Sequence, residues 1–477
     1  MKAIFSLLII STALYGEIEN SSLLSSTTAS FDGNSLILQG HVLLDHAIGK
    51  LGAERAILQK QEQGKEFPFS VIELEKDVSV ALRNQASVSC DEAHFDFTAL
   101  KGALIGLQDH FVRYQDTFLQ EGKKQSFVIT SKSADMIMQR VETPKGLEYD
   151  VQTIIANDEA TFAYGDRFKV NCDQAVYDPK ILQKRMLTAS PASDKGVCNF
   201  EYKEGKMAAK KFEVSIDSGE VFADSPHGYF LPAPNEKLLF QSQKMAWNQN
   251  EQIIMLEQNV EVVDPIFGNL FAKEKLLLFH NSKKGKKSFH TIQTRGHATL
   301  TYKEQKKQAV HTLTSFGTIK LDRDRGNVLV ESPVQNGLVP TGMQILYREE
   351  SMTISSDRAN MEYSNTGTSF QPISVTLKGN IRLYTEDQNR PVRCALADRV
   401  NYSPSTRTFI LAANPGKKVL LWDETETLQI AAQEIHITQE ADSEKESIKG
   451  VGNVSFSFSQ EENRLLRKLF PNFQLPH

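Results

Sequence analysis

The chain has 477 residues, a formal net charge of −5 and 40% hydrophobic residues. A pI near 6.2 supplies no basic footprint for nucleic acid, and a mean hydropathy of −0.35 without a long apolar run past the N-terminus excludes a polytopic helical membrane protein. Such a length accommodates roughly two to four domains.

Lys2 is followed by the apolar run Ala3-Ile4-Phe5-Ser6-Leu7-Leu8-Ile9-Ile10 and by small residues at Ser11-Thr12-Ala13 and Tyr15-Gly16. This order predicts a secretory signal peptide over residues 1–16, too short to span a membrane, with a buried N-terminal strand or helix as the alternative. No Cys stands near the exit for a lipoprotein anchor. Residues 17–30 read as a linker.

From there on, apolar and polar residues alternate in short segments bounded by Gly, Asn, Asp or Pro, the period-2 pattern of half-buried strands. One repeated segment is apolar-x-apolar-x-Gly-x-apolar-x-apolar. It occurs as Leu36-x-Leu38-x-Gly40-x-Val42-x-Leu44, around Gly296, and as Val375-x-Leu377-x-Gly379-x-Ile381-x-Leu383. Lys76 and Gln258 replace the glycine in Ile72 to Val80 and Ile254 to Val262; further copies centre on Gly317 and on Gly452. A second pattern begins with a small residue and two polar ones: Ala53-Glu54-Arg55, Cys90-Asp91-Glu92, Cys172-Asp173-Gln174, Ser356-Asp357-Arg358 and Ala397-Asp398-Arg399. Corners with proline follow, as in Ala189-Ser190-Pro191 and Asn414-Pro415-Gly416. Together these describe one unit recurring every roughly 35 to 40 residues. Each unit is too small to bury its own apolar face, so neighbours must stack. The expected fold is all-β, an elongated open β-jellyroll of short antiparallel strands, with Gly40, Gly296, Gly379 and Gly452 bending the strands.

The four cysteines, Cys90, Cys172, Cys198 and Cys394, permit disulfides in an exported chain, yet each falls on apolar parity, as a small buried hydrophobe would. Among the eleven histidines no metal-ligand spacing appears, and His41, His297 and His436 take outward parity. Nucleophile-elbow and phosphate-loop motifs are absent, and the acidic pairs Asp91-Glu92 and Asp158-Glu159 fit solvated strand edges. No catalytic residue, metal site or cofactor is therefore expected, and the chain is read as no enzyme. The run Lys283-Lys284-Gly285-Lys286-Lys287 reads as a hairpin loop or as a contact for anionic head groups. Arg464-Leu465-Leu466-Arg467-Lys468-Leu469-Phe470 has the apolar spacing of a short helix, for an edge cap or for a partner or membrane surface.

The turns Gly40-His41-Val42, Gly379-Asn380-Ile381 and Gly452-Asn453-Val454, the strand Ala397-Asp398-Arg399-Val400-Asn401-Tyr402 and the corner Asn414-Pro415-Gly416 resemble the OstA-like (Lpt-type) periplasmic lipopolysaccharide-transport family. Residues 375–422 carry all three features in order; 35–58 follow, and 100–150 and 195–240 fit poorly. The resemblance implies an extended member with two fused modules, 31–235 and 236–460, a short helical tail over 461–477 and no outer-membrane barrel. It further implies a periplasmic carrier or bridge, at times associated with the outer membrane, that holds acyl chains of lipopolysaccharide or another envelope lipid in a groove. Its protein partners would be other envelope transport proteins, joined through sheet edges. The groove residues would be Leu36, Leu38, Val42, Leu44, Leu256, Val260, Val375, Leu377, Ile381 and Leu383, stabilising an acyl chain by about 0.8 kcal/mol per buried methylene. The same parity suits side chains that simply pack on one another, and both readings stand. The rival functions are a non-enzymatic envelope scaffold that assembles through sheet edges and an outer-membrane β-barrel.

Overall fold

A computed structural model describes residues 24–60, 69–120, 122–144, 146–181, 184–233, 236–280, 289–303, 310–349, 352–364, 372–387, 390–423, 428–439 and 446–458. The signal segment 1–16, the basic run 283–287 and the tail 461–477 lie outside these residues. Every regular element among the described residues is a β-strand, so the chain is all-β.

Strand Ser35–His46 shows why the repeated segment folds as it does. Leu38, Val42 and Leu44 are buried while Gln39, His41 and Leu43 are exposed, so parity survives across the central glycine. At that point Gly40 and His41 both take left-handed backbone angles, φ 78° and 47°, and pairing with Gly49–Lys60 jumps from Gln39 to Val42. Two successive left-handed residues bend the strand sharply, a conformation that costs an ordinary L-residue energy and glycine little. The same doublet recurs at Lys76-Asp77, Asp158-Glu159, Gln258-Asn259, Gly379-Asn380 and Gly452-Asn453. Gly296 is left-handed as well, at φ 83°.

The second sequence pattern is the other side of this corner. The register skips Glu54 opposite Gly40-His41, Asp91 opposite Lys76-Asp77, and Asp398 opposite Gly379-Asn380. Backbone hydrogen bonds knit successive corners together: Ser225 N–H donates to the Gln243 carbonyl at 2.7 Å, Gln243 to Gln258 at 3.1 Å, and Gln258 to Glu274 at 2.8 Å. The two motifs seen in the sequence are thus one structural device.

The chain forms two compact units, one running to Asp166 and including Asn171–Arg185, the other made of Arg167–Val170 and the chain from Met186 onward. The module boundary expected at 235/236 falls inside the second unit. In the first unit four long strands, Ser35–His46, Gly49–Lys60, Phe69–Leu82 and Ser87–Asp96, cross the corner and belong to two sheets at once. One sheet continues through Val112–Gln120 and Lys123–Ser131, the other through Lys101–Ile105 and Ser133–Thr143. Strand Gly146–Tyr164 again serves both. Part of the segment expected to be a linker is structured: Leu24–Ser25 and Thr28–Phe31 pair with Ser35–His46. Thr28–Phe31 is exposed throughout, and a strand held by backbone pairing alone needs no apolar alternation to reveal it.

In the second unit successive hairpins alternate between two facing sheets. Cys198–Tyr202 with Gly205–Ala209 lies in one sheet, Lys211–Ser215 with Glu220–Asp224 in the other, and His227–Ala233 with Glu236–Gln241 returns to the first. Each hairpin pairs edge to edge with the next one of its own sheet. A lone hairpin cannot bury its apolar face, and the alternation always sets a partner opposite. Pro372–Asp387 and Arg390–Ser403 then cross the corner at Gly379-Asn380 and Asp398 and join both sheets, as the long strands of the first unit do. Both units therefore have a jellyroll-like arrangement.

Candidate functional site

The space between the sheets is the candidate site in each unit. Leu38, Val42 and Leu44 are buried in the first unit, and Leu36 is half-buried. Leu256, Val260, Leu377, Ile381 and Leu383 are buried in the second, and Val375 is half-buried. In each unit they lie between the sheets, and those of the second unit do not meet at one point. Leu256 and Leu377 stand six strand pairings apart in one sheet, about 29 Å at the usual strand spacing.

Aromatic rings fill much of this interior. Phe127 meets Phe162 at 5.2 Å and Tyr177 at 4.8 Å in the first unit. In the second, Phe200 meets Phe212 at 5.4 Å and Phe230 meets Phe289 at 5.0 Å, each pair joining the two sheets. Rings in contact leave no channel between them, so an acyl chain entering at these levels must part the sheets.

The margin away from the corner carries polar groups that link one sheet to the other. Arg323, 1% exposed in its side chain, reaches Asp264, 2% exposed, at 2.9 Å, with Glu236 at 3.5 Å. Nearby, the Tyr363 hydroxyl donates to the Asp322 carbonyl at 2.9 Å, and its ring meets Phe267 edge-on at 5.0 Å. His280 pairs with Glu204, and Arg393 pairs with Asp423 at 2.8 Å and with Glu446. In the first unit His46 lies 4.3 Å from Phe97 and 6.0 Å from Tyr149 between ring centres, and its carbonyl accepts from Arg83 at 2.9 Å. Burial first, and then the Arg83 charge, pushes His46 down to about 4. The Tyr177 hydroxyl donates to Asp116 at 2.8 Å; burial, followed by neighbouring Tyr114 and Asp116, holds its proton well above the ordinary phenol range.

These groups were missed by sequence reasoning, although parity marked them. Val42, Leu44 and His46 share one face; so do Val260, Val262 and Asp264, and Ile319, Leu321 and Arg323. A titratable group continuing an apolar face was the available signal.

The four cysteines are buried, and burial pushes the Cys90 thiol up to about 12. His41 is exposed, whereas His297 stacks on Phe316 at 4.8 Å and half-buried His436 pairs with Glu434 at 3.3 Å. Among the described residues, no group of three or more His, Cys, Asp or Glu could hold a metal ion, and no helix is long and apolar enough to cross a membrane.

Comparison of the sequence with protein-family profiles and with curated proteins finds no match. Among solved structures, similarity is found to LptH of Pseudomonas aeruginosa, titled the LptA-homologous periplasmic component of a lipopolysaccharide transport device, at 9% identity and a TM-score of 0.24, over 31% of this chain and 94% of that one.

Proposed function

We propose that the chain is a non-catalytic periplasmic carrier or bridge for an envelope lipid, lipopolysaccharide being the first candidate, which takes acyl chains between its two sheets. The supporting observation is the run of the apolar interior in the second unit, where inward residues from Phe200 to Ile435 are buried in most hairpins, with Leu313 and Tyr347 half-buried. Each acyl methylene taken there from water would gain about 0.8 kcal/mol. The apolar parity faces inward, the reverse of what a membrane barrel requires of its lipid-facing surface.

Photo-crosslinking amino acids at Val42 and Ile381 test this reading in cells. Adducts with an acylated lipid, identified by mass spectrometry, are expected at both positions. A normally folded, exported protein with no lipid adduct at either would sink the carrier.

The second reading, a non-enzymatic scaffold joined through sheet edges, draws on Phe31 at 59% and Phe456 at 56% exposure on terminal strands Thr28–Phe31 and Ser455–Phe458. It predicts protein adducts from these two positions and a lipid-free interior.

A further inference from the structure

One crossover of the second unit departs from its neighbours. The chain passes from sheet to sheet over two residues between Asp224 and His227, between Gln241 and Lys244 and between Ala272 and Lys275, whereas Glu331 and Ile345 are joined by residues 332–344. The extra length serves no strand pairing, since Asn327–Glu331 and Ile345–Glu349 join their sheets as the strands beside shorter crossovers do. The base of the segment is fixed: the Ser332 N–H donates to the Asp357 carbonyl at 3.0 Å, and the Ser332 hydroxyl accepts from the Ile345 N–H at 3.1 Å. Its tip is a closed turn. Gln335 and Leu338 exchange backbone hydrogen bonds of 2.8 and 3.0 Å across Asn336 and Gly337, both left-handed at φ 50° and 79°. A Cβ on Gly337 or on Gly342 would meet nothing within 4 Å, so these turns stand clear of the sheets.

The chemistry of this protrusion is as unusual as its length. A chain with 24% charged residues carries none between Glu331 and Arg348, and the turns instead expose Val334 at 65%, Leu338 at 75% and also Met343. Exposed Phe316 adds a ring on the adjoining corner, where Gly317 lies against the backbone of Glu331 to Pro333. Apolar tips in water are a liability unless something covers them. Protein interfaces draw their energy chiefly from Trp, Tyr and Arg, and residues 332–344 hold none of these. A bilayer surface makes other demands: it penalises charge, takes up apolar side chains, and requires the backbone groups that enter it to be bonded internally. The tip meets them with uncharged side chains, the self-bonded turn from Gln335 to Leu338, and Pro333 and Pro340, which have no N–H to satisfy.

We infer that the segment 332–344 is a bilayer-contact loop: Val334, Leu338 and Met343 enter the interfacial region of a lipid bilayer and hold the second unit against its surface, with Phe316 at the edge of the contact. The partner is a membrane surface as such, since a neutral tip has no charge with which to select an anionic lipid. The contact lies outside the two sheets and does not depend on the lipid carriage proposed above.

Flotation of the full-length protein with phosphatidylcholine vesicles, with and without phosphatidylglycerol, tests it. The protein is expected to float with both, equally at low salt and at about 0.5 M salt, where exposed charges are screened. V334D/L338D should lower the vesicle partition about tenfold or more, because it puts two charges into the contact. L239D, which charges an exposed leucine on the outer face of strand Glu236–Gln241, should leave it unchanged. An environment-sensitive dye on L338C should shift to the blue and brighten when vesicles are added; an unshifted spectrum overturns the contact however well the double variant folds. A protein that does not float, or one that floats undiminished as V334D/L338D, overturns it and leaves the carrier function standing. Flotation only with phosphatidylglycerol, or lost at high salt, assigns the attachment to basic residues elsewhere and overturns it too, as does an equal loss from L239D. A photo-crosslinker at Leu338 that captures a protein in cells, with vesicles left unbound, makes this loop a protein contact and sinks the inference.

Discussion

At the scale of single residues, the first unit carries a pH-sensitive group in its interior. The folded state keeps His46 neutral down to about 4, chiefly through burial, against an ordinary value of 6.5. Unfolding frees the imidazole to take up a proton at the ordinary value, so the unfolded state binds more protons between these limits. Stability from this group is therefore complete above about pH 6.5 and falls as the pH drops toward 4, by about 2–3 kcal/mol. Urea unfolding followed by circular dichroism at pH 7 and pH 4.5 should show the loss, and H46F should flatten that part of the profile; an unchanged slope in H46F would assign it elsewhere. Parity in the sequence already placed His46 on the face of Val42 and Leu44. What it could not supply was the partner, since Phe97 arrives from a turn and Tyr149 from a strand, both remote in sequence.

At the scale of the element, the corner is the unit of construction. Gly379 has φ 77°, and a Cβ there would lie 2.4 Å from the Asp357 carboxylate, whose oxygen accepts from Asn380 Nδ2 at 2.7 Å. G379A combines left-handed strain with this clash and should destabilise the second unit by about 1–3 kcal/mol in a denaturant titration. Q258G replaces a left-handed glutamine of φ 63° and should be neutral or stabilise by about 0.5 kcal/mol. A loss from Q258G as large as that from G379A would show that the corner needs side chains rather than backbone freedom. The glycine-centred copies were legible because glycine marks a bend. Lys76-Asp77 and Gln258-Asn259 were legible only through the spacing of their neighbours. The Asp158-Glu159 doublet resembled a solvated polar step, and its left-handed turn shows in nothing but the backbone.

At the scale of the molecule, the second unit depends on two sheets staying face to face, and Arg323 with Asp264 spans them. Removing one partner leaves a buried charge uncompensated, so R323A should cost about 3–5 kcal/mol, while R323M/D264L, which removes both, should cost far less. Both tryptophans of the chain, Trp247 and Trp422, belong to this unit, so their fluorescence during urea unfolding reports it directly. A double change as costly as the single one would show that the pair is net stabilising and no mere compensated burial. For a carrier, the double variant should also part its sheets differently and shift crosslinking at Ile381.

The sequence by itself determined the all-β class, the parity of nearly every strand and the recurrence of one corner, because alternation and backbone strain are local and recorded residue by residue. The tertiary structure alone decided which sheet each hairpin joins, which aromatic rings close the interior, and that Asp116 and Tyr177, or Asp264 and Arg323, come together. Those are meetings between residues far apart in the chain, fixed by the order of strand pairing, and no local pattern encodes that order.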